Sequence, residues 1–168
     1  KIDLPLEICE KIVFFLFTYK FKDHVELKKA VDNYPNNINK YGNISYWDVS
    51  NITNMESMFY YINFSEDINI DISNWDVSSV ENMGYMFNSS NFNGDISSWE
   101  LTNVKNLNNM FHKSIFNGDI SKWDVSNVTN MNSMFHNSKF NGDISKWDVS
   151  NVETCLLYTS DAADEEDS

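Results

Sequence analysis

Carboxylates are the residues this sequence most often places where chemistry could occur. One column follows tryptophan, with Asp48, Asp76, Asp124 and Asp148 and with Glu100 in the same register; a second precedes isoleucine, at Asp71, Asp95, Asp119 and Asp143. Stacked carboxylates are the oxygen ligands Ca²⁺ takes. Asp beside Gly and Ser is also the ordinary material of turns, its side chain accepting from nearby amides, and the turn role is preferred. His112 and His136 share a column with Tyr60 and Asn88. Two imidazoles on adjacent units have the donor type of a zinc site, but no acid or cysteine joins that column, so stacking at the surface is expected. His24 stands apart, and no Ser, His and Asp set follows a nucleophile-elbow pattern. Cys9 and Cys155 are too few for a disulfide framework or a cysteine-rich metal site. The expectation is a protein that is not an enzyme, with no cofactor and no metal.

The elements that must carry these columns follow from a period. Trp75, Trp99, Trp123 and Trp147 are each 24 residues apart, whereas Trp47 precedes Trp75 by 28, the surplus lying in "FSEDINIDISNW". Apolar residues recur in fixed register after each Trp, as in Val125, Val128, Met131, Met134, Phe135, Phe140 and Ile144. Within "SNVTNMNSMF" the residues Val128, Met131, Met134 and Phe135 have the spacing of a short helical stripe. Ser126 precedes that stripe as a cap, and Ser78 with Glu81 and Ser150 with Glu153 read as capping boxes. "FNGDISKW" opens with Asn-Gly, suited to positive φ, and continues as a short strand. Each unit thus reads as strand, turn and helix. A lone unit buries too little to offset its ordering entropy, so units must stack into a solenoid.

The phrase "FNGDISKWDVSNVTNMNSMF" at 116–135, which begins again at Phe140, resembles the repeat of the BspA-like leucine-rich-repeat surface proteins. More closely, it is similar to the domain of unknown function named from mycoplasma lipoproteins, over about residues 23–154 with the lead-in "ELKKAVDNY". That resemblance implies an α/β repeat forming a right-handed leucine-rich-repeat-like solenoid, a surface or interaction role, and no known enzymatic activity.

Composition narrows the partners. The 168 residues are 42% hydrophobic and 15% aromatic, enough for one ordinary core. The formal charge is −13, from 25 acidic residues against 12 basic ones. Every basic residue is Lys, so the bidentate contacts Arg makes to phosphate and guanine are missing and nucleic acid is not an expected partner. The longest apolar run, "IVFFLF" at 12–17, is far too short to span a membrane. The chain starts at Lys1, so a surface location is expected if a preceding segment carries a signal, and a cytoplasmic one otherwise.

The two ends read differently from the middle. Residues 1–22 form a helix that covers the first unit or, through Leu4, Pro5, Ile8, Ile12 and Leu16, resembles the first helix of an F-box and would dock on a ubiquitin-ligase adaptor subunit. Residues 23–45 are a helical lead-in and 46–154 the repeats, the last one truncated. Residues 155–168, with "CLLYTSDAADE", resemble the in-frame translation of a sequencing adapter and are expected to be disordered. The functional expectation is a protein-binding scaffold of surface or adhesin type, the alternative an intracellular F-box-type substrate adaptor. Candidate binding residues are Ser98, Lys122 and Lys146 before each Trp, and Tyr60, Asn88, His112 and His136 after each Phe.

Overall fold

Asp23 starts the first helix, its carboxylate accepting from the Glu26 amide at 2.9 Å and satisfying a donor that has no partner within the helix. In the computed structural model, which describes residues 18–65 and 70–154, this helix is α1, His24–Asp32. It buries Leu27, Ala30 and Val31. A shorter α2, Ile38–Tyr41, and a 3₁₀ turn at Ile44–Tyr46 follow. Together with Tyr19 and Phe21 they pack on the first unit: Phe21 is fully buried, and its ring centroid lies 4.9 Å from that of Trp47. The Phe21 amide donates to the Asp48 carbonyl and the Asp48 amide to the Tyr19 carbonyl, both at 3.0 Å, so the lead-in pairs with the first unit through its backbone.

From Trp47 onward the expectation of an α/β leucine-rich-repeat solenoid with strand–turn–helix units is overturned. Among the described residues there is no strand, and both α-helices precede the first Trp unit. The β-type pairing between the units, among the described residues, is confined to isolated parallel bridges, Asn54 to Asn82, Asn82 to Asn106, Asn106 to Asn130 and Asn130 to Thr154.

The segment expected to be helical is a run of turns. In the second unit the Met86, Asn88 and Ser90 amides close on the carbonyls three residues back, Met83, Tyr85 and Phe87. The intervening amides of Met83, Tyr85, Phe87 and Ser89 instead donate to Asn106, Asn108, Met110 and His112 of the next unit, at 2.8–2.9 Å. Two residues per unit accordingly sit in the left-handed region, Ser57 and Tyr61, Tyr85 and Ser89, Asn109 and Lys113, Ser133 and Asn137, with φ between 53° and 57°. L-residues do not continue a right-handed helix through that conformation. A two-turn helix is marginal in water, so the cross-unit hydrogen bonds win. Turns alternating with outward bonds still put Met and Phe inside at three- and four-residue intervals, and that is why the stripe resembled a helix.

The expected capping boxes are corrected in the same way. Ser78 and Ser126 cap no helix: each donates its amide and its hydroxyl to the aspartate two residues earlier, the hydroxyl bonds being 2.6 Å. The Asn-Gly pairs do not supply positive φ either, since Gly42 is the one described glycine in that region. Gly118 is small for another reason: a Cβ there would lie 2.8 Å from the Phe116 ring, which folds back over it.

Aromatic columns fill the core. Phe59, Phe87, Phe111 and Phe135 stack at 5.3, 5.7 and 5.8 Å between centroids, within 6° of parallel. Phe92, Phe116 and Phe140 make a second ladder at 6.4 and 6.3 Å. Each Trp ring is tied to the preceding unit, the indole N–H of Trp75, Trp99, Trp123 and Trp147 donating to the carbonyls of Ile44, Ile72, Ile96 and Ile120 at 3.0–3.1 Å. Removing that donor in Trp123→Phe leaves the Ile96 carbonyl with the Trp99 amide, at 3.2 Å, as its remaining donor, an expected loss of about 0.5–1.5 kcal/mol. The same change at Trp147, where the bond is only part-buried, should cost less. Urea unfolding of the two variants measures the difference, and equal losses would contradict this account.

Candidate functional site

The polar columns divide into those the fold consumes and those it leaves available. The aspartates belong to the first group. Asp71, Asp95, Asp119 and Asp143 accept from the amides of Ser73, Ser97, Ser121 and Ser145 at 2.9–3.1 Å. Asp48, Asp76, Asp124 and Asp148 do the same for Ser50, Ser78, Ser126 and Ser150. Hydrogen bonds to the ionised form hold its pKa down. The Ser126 hydroxyl, and then its amide, keep Asp124 below the usual carboxylate range, and the Ser121 amide and hydroxyl do so for Asp119. No group of three or more metal-ligating side chains occurs among the described residues.

Asparagine is consumed as well. Asn82, Asn106 and Asn130 each accept from the amide two residues on, at 2.9–3.1 Å, and Asn106 Nδ2 donates to Asn82 Oδ1 at 2.9 Å. Asn103, Asn127 and Asn151 donate to the carbonyls of Ser78, Thr102 and Ser126 in the unit before, at 2.7–2.8 Å. The buried hydroxyls of Ser90 and Ser114 link units in the same manner, donating to the Ile62 and Ser90 carbonyls.

Of the residues expected to bind, Ser98, Lys122 and Lys146 are exposed along the tryptophan edge. Ser98 donates to the Ser73 carbonyl and borders a shallow cleft of about 330 Å³ with Trp75, Asp76 and Glu100. This cleft shares Asn74 and Asp76 with a larger one of about 640 Å³ beside Tyr46, Trp47 and Asp48. The other column lies on the turn face, and no hydrogen bond or ring contact among the described residues joins the two. Tyr60 is 42% exposed, whereas Asn88 is only 4% exposed and is held by its neighbours. Its Nδ2 lies 3.1 Å from His112 Nδ1, and its Oδ1 accepts from the Ser89 hydroxyl at 2.8 Å. His112 and His136 stack at 5.1 Å. The residues named for F-box docking, Leu4, Pro5, Ile8, Ile12 and Leu16, lie outside the described residues, as does 155–168.

Two residues beside Tyr60 were not singled out by the spacing. Tyr61 is 62% exposed, its ring 4.7 Å from that of Tyr60, and Tyr85 meets Tyr60 edge-on at 6.4 Å. Both occupy left-handed positions where other units carry Ser, Lys or Asn, with φ of 56° and 57°. The available signal was an aromatic in a column otherwise polar.

The geometry of the described residues defines a stack of turn-built units held by backbone ladders and aromatic columns, with an aromatic patch at its surface around Tyr60. The chain belongs to the family described as Mycoplasma protein of unknown function, DUF285, whose model matches residues 25–115 and 103–164. No curated protein and no solved structure matches the chain. The family match supplies no evidence for an F-box. No helix among the described residues is long and apolar enough to cross a membrane.

Because serine bonds depress the pKa of Asp119 and Asp124 in the folded chain, the unfolded chain takes up protons at these groups first. The stabilisation is complete above the ordinary value of 3.8 and is lost as pH falls below it. Thermal midpoints measured from about pH 4.5 down to about pH 2.5 should fall steeply, and less so in Ser121→Ala/Ser126→Ala. Millimolar Ca²⁺ should leave the midpoint at neutral pH unchanged, and a rise would return the aspartate columns to a metal-binding role.

Proposed function

We propose that this protein is a non-enzymatic protein-binding scaffold of surface, adhesin-like type, and that its turn face engages the partner through Tyr60, Tyr61 and Tyr85. The carrying observation is the placement of two bulky aromatics in the left-handed region. For an L-residue that conformation costs about 1–2 kcal/mol, a cost Asn largely avoids, and Asn stands at the matching positions Asn109 and Asn137. Folding alone would favour the smaller residue. Tyr60 and Tyr61 are exposed and Tyr85 is half-buried beside them; surface tyrosines combine large apolar area, few rotatable bonds and a hydroxyl, the properties that concentrate binding energy at interfaces. Strained backbone under exposed side chains is a recurrent mark of binding positions. Membership of a family associated with surface repeat proteins supports the same reading. No observation favours the intracellular adaptor.

The test separates stability from recognition. Tyr61→Asn and Tyr85→Asn should each hold or raise stability, by up to about 0.5–1 kcal/mol in chemical denaturation. Against a panel of purified matrix and cell-surface proteins, any partner bound by the wild type should lose at least about tenfold in affinity to the triple variant Tyr60→Ser/Tyr61→Asn/Tyr85→Asn. Undiminished binding by the triple variant would overturn the assignment of this face.

A further inference from the structure

The column that begins at Tyr60 continues through a buried amide into two stacked imidazoles, and their contacts decide which protonation state the fold accepts. We infer that His112 and His136 make the turn face acid-sensitive, the junction between their two units weakening when the imidazoles become charged. As regulation of a binding face this rests on the tyrosine reading above; as a property of the fold it stands separately.

The Asn88 side chain fixes the tautomer. Its Oδ1 accepts from the Ser89 hydroxyl, so the group facing His112 Nδ1 at 3.1 Å is the amide NH₂, which can only donate. In this arrangement Nδ1 of His112 accepts, which the neutral ring with its proton on Nε2 allows and the charged ring does not. Protonation would set a second N–H against the Asn88 amide, which is 4% exposed and would have to turn its oxygen to the ring and reverse its bond with the Ser89 hydroxyl. From the next unit His136 stacks on His112 with centroids 5.1 Å apart and planes inclined by 27°, so two charges there would lie face to face. From its own unit Lys113 adds a third positive charge. The preceding unit offers only the uncharged Asn88 and Ser89. Among the described residues no ion pair joins either imidazole to a carboxylate.

Burial, then His136, then Lys113 all push the His112 pKa below its ordinary 6.5. The unfolded chain thus binds this proton more readily than the folded one, and stability present above pH 6.5 is lost as pH falls through that value. The backbone of both residues lies in the ladder, since the Ser89 amide donates to the His112 carbonyl at 2.8 Å and the Lys113 amide to the His136 carbonyl at 2.9 Å. Charging the pair therefore loads the hydrogen bonds that hold the units together.

The whole chain serves as the test, without any partner. Wild type and His112→Asn/His136→Asn, which copies the residue the column already uses at Asn88, are melted at about pH 7.5 and about pH 5.5. The wild type should lose about 2–4 °C more on acidification than the double variant. In parallel, the His112 ring signals are titrated by NMR in wild type and in the single variant His136→Gln. His112 should titrate below 6.5 in the wild type and move upward in the variant. Equal thermal losses, or a His112 titration indifferent to His136, would overturn the inference. Neither readout involves binding, so its failure leaves the tyrosine assignment standing, and loss of that assignment leaves this property measurable.

Discussion

Everything else in this structure depends on how the backbone amides of each turn segment are shared. One set closes tight turns within the unit, and the alternate set reaches the carbonyls of the next unit, as from Leu107, Asn109, Phe111 and Lys113 to Asn130, Asn132, Met134 and His136. Both demands can be met only if the chain enters the left-handed region twice in every unit. A helix would satisfy the first set and no neighbour; a strand would satisfy neighbours and close no turn. The compromise leaves few amides idle and sets consecutive units close enough for phenylalanine to lie flat on phenylalanine.

That proximity explains the composition. Side chains that donate or accept over short distances recur where the turn segments meet, and asparagine is favoured because one amide serves two partners. Asn82 accepts from the Gly84 amide while it also joins Glu56 and Asn106 on either side. Polar seams of this kind hold the units together only when the network is nearly complete. Asn37 Oδ1, in the lead-in, is the one buried side-chain atom among the described residues that lacks a partner.

The sequence displays the register of this architecture better than its conformation. Trp75 to Trp147, Phe59 to Phe135 and the aspartates were visible as columns because a stacked chain puts equivalent residues over one another. The turn role of Asp124 and Asp148 was equally legible, since Asp two residues before Ser is a local signal that needs no tertiary context. Conformation was misread where Val128, Met131, Met134 and Phe135 suggested a helix, because periodicity reports which residues face inward and not which hydrogen bonds get them there. The tyrosine patch was half visible: Tyr60 stood out by its column, but nothing local reveals that Tyr61 and Tyr85 converge on it from different turns.

The first two tryptophans are 28 residues apart, yet several ties that cross this junction keep their form. The Asn54 to Asn82 bridge and the Trp75 bond to the Ile44 carbonyl have the same character as their counterparts farther along. The Phe59 to Phe87 stack remains within 6° of parallel. In the sequence the four surplus residues fall between Phe64 and Ile72, which are eight apart where Phe92 and Ile96, Phe116 and Ile120, and Phe140 and Ile144 are four apart. Descendants of an ancestral unit could therefore lengthen there without renegotiating the core, giving evolution one place per unit in which to write new sequence.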